Sequence, residues 1–209
     1  ALVYDKRKSQ NDPRILRDRI GYGEALQLTV SLTDIPGLSV TAVPTRFYTY
    51  GPSRAPILGY IGKITSDELT ANPQASYLDE TGKAGLEKQY NTLLQGQDGF
   101  RDVEHDVFNR STNVLRRQDP VPGQTLRLTI DNALQAKVYD NLQRAVSKAH
   151  STGGAAIAIN PQNGEILALA SAPTYDNNWF IDDSKKKERA NAVTDPRKLM
   201  LNRAIAGQY

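Results

Sequence analysis

The sequence contains no cysteine, which removes disulfides, thiolate nucleophiles, cysteine–zinc sites and iron–sulfur clusters together. Histidine is almost as scarce. His105 and His150 are the only two in 209 residues, so no multi-histidine metal centre is expected, and a Ser-His-Asp triad would have to use one of them. Long hydrophobic runs are missing as well. The strongest, "AAIAI" and "ILALASA", are strand-sized, far short of the roughly 18 apolar residues that cross a bilayer. Charge of one sign is also lacking: 26 basic against 23 acidic residues leave +3, too little for a nucleic-acid footprint. What remains is 39% hydrophobic and 23% charged, the composition of a globular chain able to bury a core in one or two domains.

Residues 1–19 are highly charged and lack a sustained apolar face, which reads as an arm or linker; Asp12-Pro13 could open a short helix there. From Leu26 the apolar residues alternate (Leu26, Leu28, Val30, Leu32), and Leu38 and Val40 keep the period beyond Ile35-Pro36-Gly37. That pattern predicts two strands around a turn. Between Val43 and Lys63 the breakers Pro44, Gly51, Pro52, Pro56, Gly59 and Gly62 surround Tyr48, Tyr50 and Tyr60, predicting an aromatic-packed, turn-rich module without long elements. From Gly85 to Gly96, Leu86, Tyr90, Leu93 and Leu94 share one helical face, with Gly96 placed to close the helix in a left-handed conformation. "FRDVEHDVFN" alternates as an exposed strand, with Val103, His105 and Val107 on one side and Glu104 and Asp106 on the other.

The turn "PVPG" suggests a domain boundary near residue 122. Beyond it, Asp131 is placed to cap a helix over 132–149 that carries Leu134, Val138, Leu142, Val146 and Ala149. "GGAAIAINPQNGEILALAS" then predicts a hairpin, because Asn163-Gly164 supplies the positive φ of a tight turn. Both strands are apolar at consecutive positions, so both faces should be covered, one of them by the 132–149 helix. The polar stretch 172–194 reads as a loop with a short helical patch. Asp195-Pro196 is expected to cap a last helix turning Leu199, Ile205 and either Met200 or Leu201 inward.

Chemical motifs are thin. Gly82-Lys83-Ala84 lacks the spacing and hydroxyl of a phosphate loop, and Gly51-Pro52-Ser53-Arg54 is followed by Ala55, so no nucleophile elbow exists. Glu104-His105-Asp106 gathers ligand-type side chains, but strand alternation sends the histidine away from its neighbours. His150 is explained as a cation at a helix C-terminus, and the sequon Asn109-Arg110-Ser111 as coincidence. Ser184 and Lys187 match S-x-x-K, which would support an independent serine amidohydrolase. A lysine base must be buried to lose its charge, however, and this one lies among Lys185, Lys186 and Arg189 without an apolar face. A nucleic-acid-binding module on the same run is disfavoured because Asp182, Asp183 and Glu188 nearly cancel its positive charge.

The order of motifs carries more than any one of them: "IPGLSV", "RFYTYGPSRAPILGYIGKI", "GKAGLEKQYNTLLQGQDG", "LRLTIDNALQAKVYDNL", "GGAAIAINPQNGEILALASAPTYDNNWF" and "LNRAIAGQY". From about residue 35 to 209 the chain resembles a class B penicillin-binding protein of the elongation-type penicillin-binding protein 2 group. The resemblance implies an α+β fold with a charged arm over 1–34 and a turn-rich pedestal or dimerisation domain over 35–122. Residues 123–209 would be the first helix and hairpin of an α/β transpeptidase domain. In that family the S-x-x-K nucleophile follows a motif like "LNRAIAGQY", so the chain is expected to stop just before it, with no catalytic, cofactor-binding or metal-ligating residue. The implied parent is a peptidoglycan D,D-transpeptidase, trapped by penicillins at its acyl-serine step. It would act outside the cytoplasm on a membrane anchor not visible in these residues, without a cofactor or nucleic acid. Implied partners are a SEDS-type glycosyltransferase, an MreC-like scaffold, and a homodimer mate or partner chain covering an exposed hairpin edge. For residues 26–32 the resemblance suggests the end of a helix where alternation suggests a strand, and both readings stand.

Overall fold

The computed structural model describes residues 16–17, 20–32, 35, 38, 40, 45–72, 79–105 and 111–207. Helix α1 (Tyr22–Ser31) occupies the stretch where alternation predicted a strand. Glu24, Ala25, Leu26, Gln27 and Leu28 are good helix formers, and no residue of α1 is buried, so no sheet face exists to reward the alternation. Thr29 and Ser31 hydroxyls donate to the carbonyls of Ala25 and Gln27 one turn back, at 2.8 and 2.9 Å. Leu38 and Val40 carry no strand. The Pro36-Gly37 turn, the arm over 1–15 and Val107 lie outside the described residues.

The breaker-rich stretch holds a helix after all, α2 (Gly51–Leu58). Pro52 falls in its first turn, where the missing N–H has no partner to lose, and Pro56 removes a single internal bond. Strand β1 (Ile61–Lys63) follows, then α3 (Ser66–Ala71) and β2 (Glu80–Gly82), which pairs antiparallel with β1. A capping box fixes the start of α3: the Glu68 N–H donates to Thr65 Oγ1, and Thr65 N–H donates to the Glu68 carboxylate at 2.7 Å. Lys83 also donates to that carboxylate. The helix expected over 85–96 is broken at Tyr90 into α4 (Gly85–Gln89) and α5 (Asn91–Leu94). Gly96 does not close it with a positive φ; a Cβ there would meet the Val121 carbonyl at 2.4 Å, so close chain passage, not capping, calls for glycine. Positive φ belongs instead to Gly59 and Gly85, where the end of α2 crosses the start of α4 so closely that a Cβ on Gly59 would lie 1.9 Å from the Ala84 carbonyl.

Strands β3 (Phe100–His105) and β4 (Ser111–Gln118) form a two-stranded ribbon with two register shifts, one falling between Glu104 and His105. Helix α6 (Asn132–Lys148) is capped as expected, Asp131 Oδ1 accepting from Leu134 N at 2.8 Å. It lies across the hairpin of β5 (Gly154–Ile159) and β6 (Ile166–Ala172), whose turn places Gly164 at φ 75. The expectation that both faces are covered holds only for β6. Ala168, Leu169, Ala170, Ser171 and Ala172 are buried, but Ile157 and Ile159 on β5 remain about half exposed. Two 3₁₀ turns lead to α7 (Lys186–Thr194), the helical patch expected in that loop. Asp195 starts no helix: its carboxylate caps a turn through Arg197 N, Lys198 takes φ 52, and α8 (Arg203–Ala206) begins later under Asn202. Leu199 is buried as predicted, whereas Ile205 is exposed. Among the described residues no helix is long and apolar enough to cross a membrane.

Removing the α6 cap with Asp131→Ala should cost about 1 kcal/mol in urea denaturation. The Lys83 contact and the Thr65 N–H hold Glu68 below the usual carboxylate range. A depressed folded-state pKa gives stability that is present above the unfolded carboxylate range and lost as pH falls through the folded value. Glu68→Gln keeps the box but not the charge, so wild type should be more stable by about 0.5 kcal/mol at neutral pH, in the range of exposed pairs. Thermal melts should show the difference vanishing in acid.

Candidate functional site: a clamp of carboxamides on helix α2

An eight-residue helix has few internal hydrogen bonds to hold it, and Pro56 removes one more. Side chains from far along the chain bind carbonyls of this helix and its C-terminal end, including Ala55 O, which also accepts Gly59 N at 2.8 Å. Gln135 Nε2 donates to Ser53 O at 2.6 Å, and Tyr175 Oη to Ala55 O at 3.3 Å. Asn202 Nδ2 donates to Pro56 O at 2.8 Å, and Asn177 Nδ2 to Gly59 O at 3.0 Å. Gln135 and Asn177 are completely buried.

Gln135 and a further carboxamide, Asn178, also imitate backbone. Gln135 Oε1 accepts from Leu169 N at 2.8 Å while its Nε2 donates to Leu169 O at 2.9 Å, so α6 grips β6 with a side chain paired as a neighbouring strand would be. Asn178 does the same for Tyr48, accepting its N–H and donating to its carbonyl, both at 2.9 Å. Around these bonds Ala55, Tyr175, Ala192 and Leu199 form the apolar core, flanked by Tyr60, Trp179, Phe180 and Met200. Tyr60 stacks on Phe180 at 3.8 Å between centroids, and Tyr175 meets both rings edge-on.

One ion pair lies nearby. Arg46 holds Glu87, which is buried, through contacts of 3.0 and 3.2 Å. Burial, then the Glu87 carboxylate, raises the Tyr48 phenol above its ordinary range, and its oxygen accepts from Ile61 N at 3.1 Å. Burial likewise raises Tyr175. Both phenols therefore stay neutral near pH 7 and act only as hydrogen-bonding groups. The arrangement can fix one segment against another; none of its groups is poised to transfer a proton.

The residues singled out in the sequence are not brought together. Ser184 and Lys187 are both exposed, and Ser184 N caps a 3₁₀ turn through Asp182 Oδ1 at 2.8 Å. The burial that a lysine base requires is missing, so the amidohydrolase reading falls. His150 sits just past α6 at φ 49. Asp106 and Asn109 lie outside the described residues, and among those described no three histidine, aspartate or glutamate side chains cluster as metal ligands. Gln135, Asn177, Asn178 and Asn202 escaped the sequence reading. The available signal was faint: Gln135 and Tyr139 form an i, i+4 pair on α6, and they are its buried residues, whereas Leu134 and Val138 are half-buried.

The family model described as Penicillin-binding Protein dimerisation domain matches residues 3–128. Peptidoglycan D,D-transpeptidase MrdA of Haemophilus influenzae is 30% identical over 210 residues, 98% of this chain and 31% of that protein. The complex between Penicillin-Binding Protein (PBP2) and MreC from Helicobacter pylori contains a chain matched with TM-score 0.72 and 26% identity, over 96% of this chain and 36% of that one. A peptidoglycan synthase complex, solved for its structural coordination of polymerization and crosslinking, matches with TM-score 0.65 and 32% identity over 75% of this chain and 29% of that one. This chain thus spans about a third of the relatives it matches.

Gln135→Leu should destabilise the fold by about 2–4 kcal/mol, because it orphans the buried carbonyl and N–H of Leu169 and removes the bond to Ser53 O. Urea denaturation measures this, and Asn202→Ala, which removes a less buried bond, should cost about half as much.

Proposed function

The chain belongs to the penicillin-binding protein dimerisation-domain family, and on that footing we propose that it is the non-catalytic, positional part of a peptidoglycan D,D-transpeptidase. Residues 35–122 serve as the pedestal, residues 123–209 begin the transpeptidase domain, and the clamp on α2 joins the two. The observation that carries this is the set of buried carboxamides binding α2 to α6, β6 and the segments after them. A joint of this kind gives a catalytic domain a fixed height and direction. It works outside the cytoplasm, held to the membrane by an anchor in the parent protein.

The partner surfaces follow the relatives. A structure similar to this chain is a PBP2 in complex with MreC, and another belongs to a peptidoglycan synthase complex. Both support an MreC-like scaffold and a glycosyltransferase of the polymerising kind as the molecules this prop meets. The half-exposed Ile157 and Ile159 of β5 are surface that further sheet or a partner would cover.

The chain alone should take no covalent label from fluorescent penicillin, yet when immobilised it should retain the ectodomain of an MreC-type scaffold. Acquisition of the label would overturn the positional reading. A chain folded by circular dichroism that retains no scaffold would remove its partner role.

A further inference from the structure

We infer that the groove between α2 and the extended segment 124–130 is a docking site for an extended acidic peptide segment of a partner protein, a reading that deepens the partner role proposed above. The groove encloses about 240 Å³ and is lined by Ile57 and Leu58 of α2, by Leu126, Leu128 and Ile130, and by Arg54, Arg127 and Asn132. Leu126, Leu128 and Ile130 recur at every second position, the spacing that puts side chains on one side of an extended strand.

Among the described residues, the main chain beside them has little pairing. Gln124 N donates to Leu93 O at 2.8 Å, and Thr129 Oγ1 donates to Ile166 O at 2.7 Å, which pins the segment near both ends. Between these points Thr125, Leu126, Arg127 and Leu128 form no main-chain hydrogen bond to another described residue, and Thr125 and Arg127 are exposed. A strand held straight with a bare edge is the template for strand addition. Lipid headgroups and glycans lack the regular N–H and C=O spacing that such an edge would use, and this favours a polypeptide.

Charge selects the kind of polypeptide. Both charged lining residues are arginines. Arg54 Nε is buried and donates to nothing, while the guanidinium lies 4.5 Å over the Tyr50 ring and one of its terminal nitrogens donates to Thr49 O. Asp131, the carboxylate next along the chain, is turned to Leu134 N as the α6 cap. An extended segment with apolar side chains on one side and a carboxylate within reach of Arg54 and Arg127 would satisfy the apolar wall, the bare edge and the idle donor together.

The test uses the full 209-residue chain and an acetylated, fluorescent heptapeptide of alternating valine and glutamate. Fluorescence anisotropy should show saturable binding, and amide exchange should slow at residues 125–128. The exposed-residue variant Arg127→Glu should weaken binding at least about tenfold with an unchanged melting temperature, and N-methylation of alternate peptide nitrogens should abolish it. Equal binding of a valine–lysine peptide, indifference to Arg127→Glu, protection elsewhere on the chain, or binding of phosphatidylglycerol vesicles in place of the peptide would each overturn the proposal, as would no binding at all. Such a failure leaves scaffold retention by the chain unaffected, so it is separable from failure of the positional reading.

Discussion

The structure turns on long-range side-chain bonds to helix α2. Helix α2 is short and carries two prolines, so few internal bonds hold it, and it lies against the buried core of the described residues. A buried carbonyl left without any partner costs about 1–3 kcal/mol. Gln135, Tyr175, Asn177 and Asn202 donate to carbonyls of α2 and its end, and in doing so they set where α2 stands relative to α6 and β6. The aromatic cluster of Tyr60, Tyr175 and Phe180 closes over the same place. Hydrophobic burial supplies the attraction there, and the carboxamides supply its geometry.

Much of the later part was legible because its signals are local. Asp131 before an apolar face at helical spacing, and Asn163-Gly164 between two apolar runs, each require one short-range conformation, and each is found. The earlier part misled where tertiary contacts outweigh local pattern. Alternation at Leu26, Leu28, Val30 and Leu32 gave no strand because α1 has no sheet to join. The Gly59–Gly85 crossing, invisible in a list of breakers, leaves room for a helix between Gly51 and Leu58. The clamp itself could not be read: an asparagine that binds a carbonyl 118 positions away has the same local surroundings as one in a solvated loop.

Function was legible in order and not in chemistry. No residue of a nucleophile, base or metal site stands out, and the serine–lysine pair that fits a pattern is exposed. The arrangement of motifs along the chain pointed to the family that the dimerisation-domain model identifies. The substance of that family here is mechanical: short elements whose contacts reach across most of the sequence, meeting at one buried seam.

The seam joins amides, carbonyls and phenols that are neutral near pH 7, and among the described residues no charged side chain bonds to α2's carbonyls within it. Mobile ions screen charges but leave such bonds almost untouched, and protons have nothing in them to titrate between the carboxylate and phenol ranges. The angle set at α2 is therefore insulated from ionic strength and acidity, so whatever is mounted on it keeps its aim when the medium around it changes.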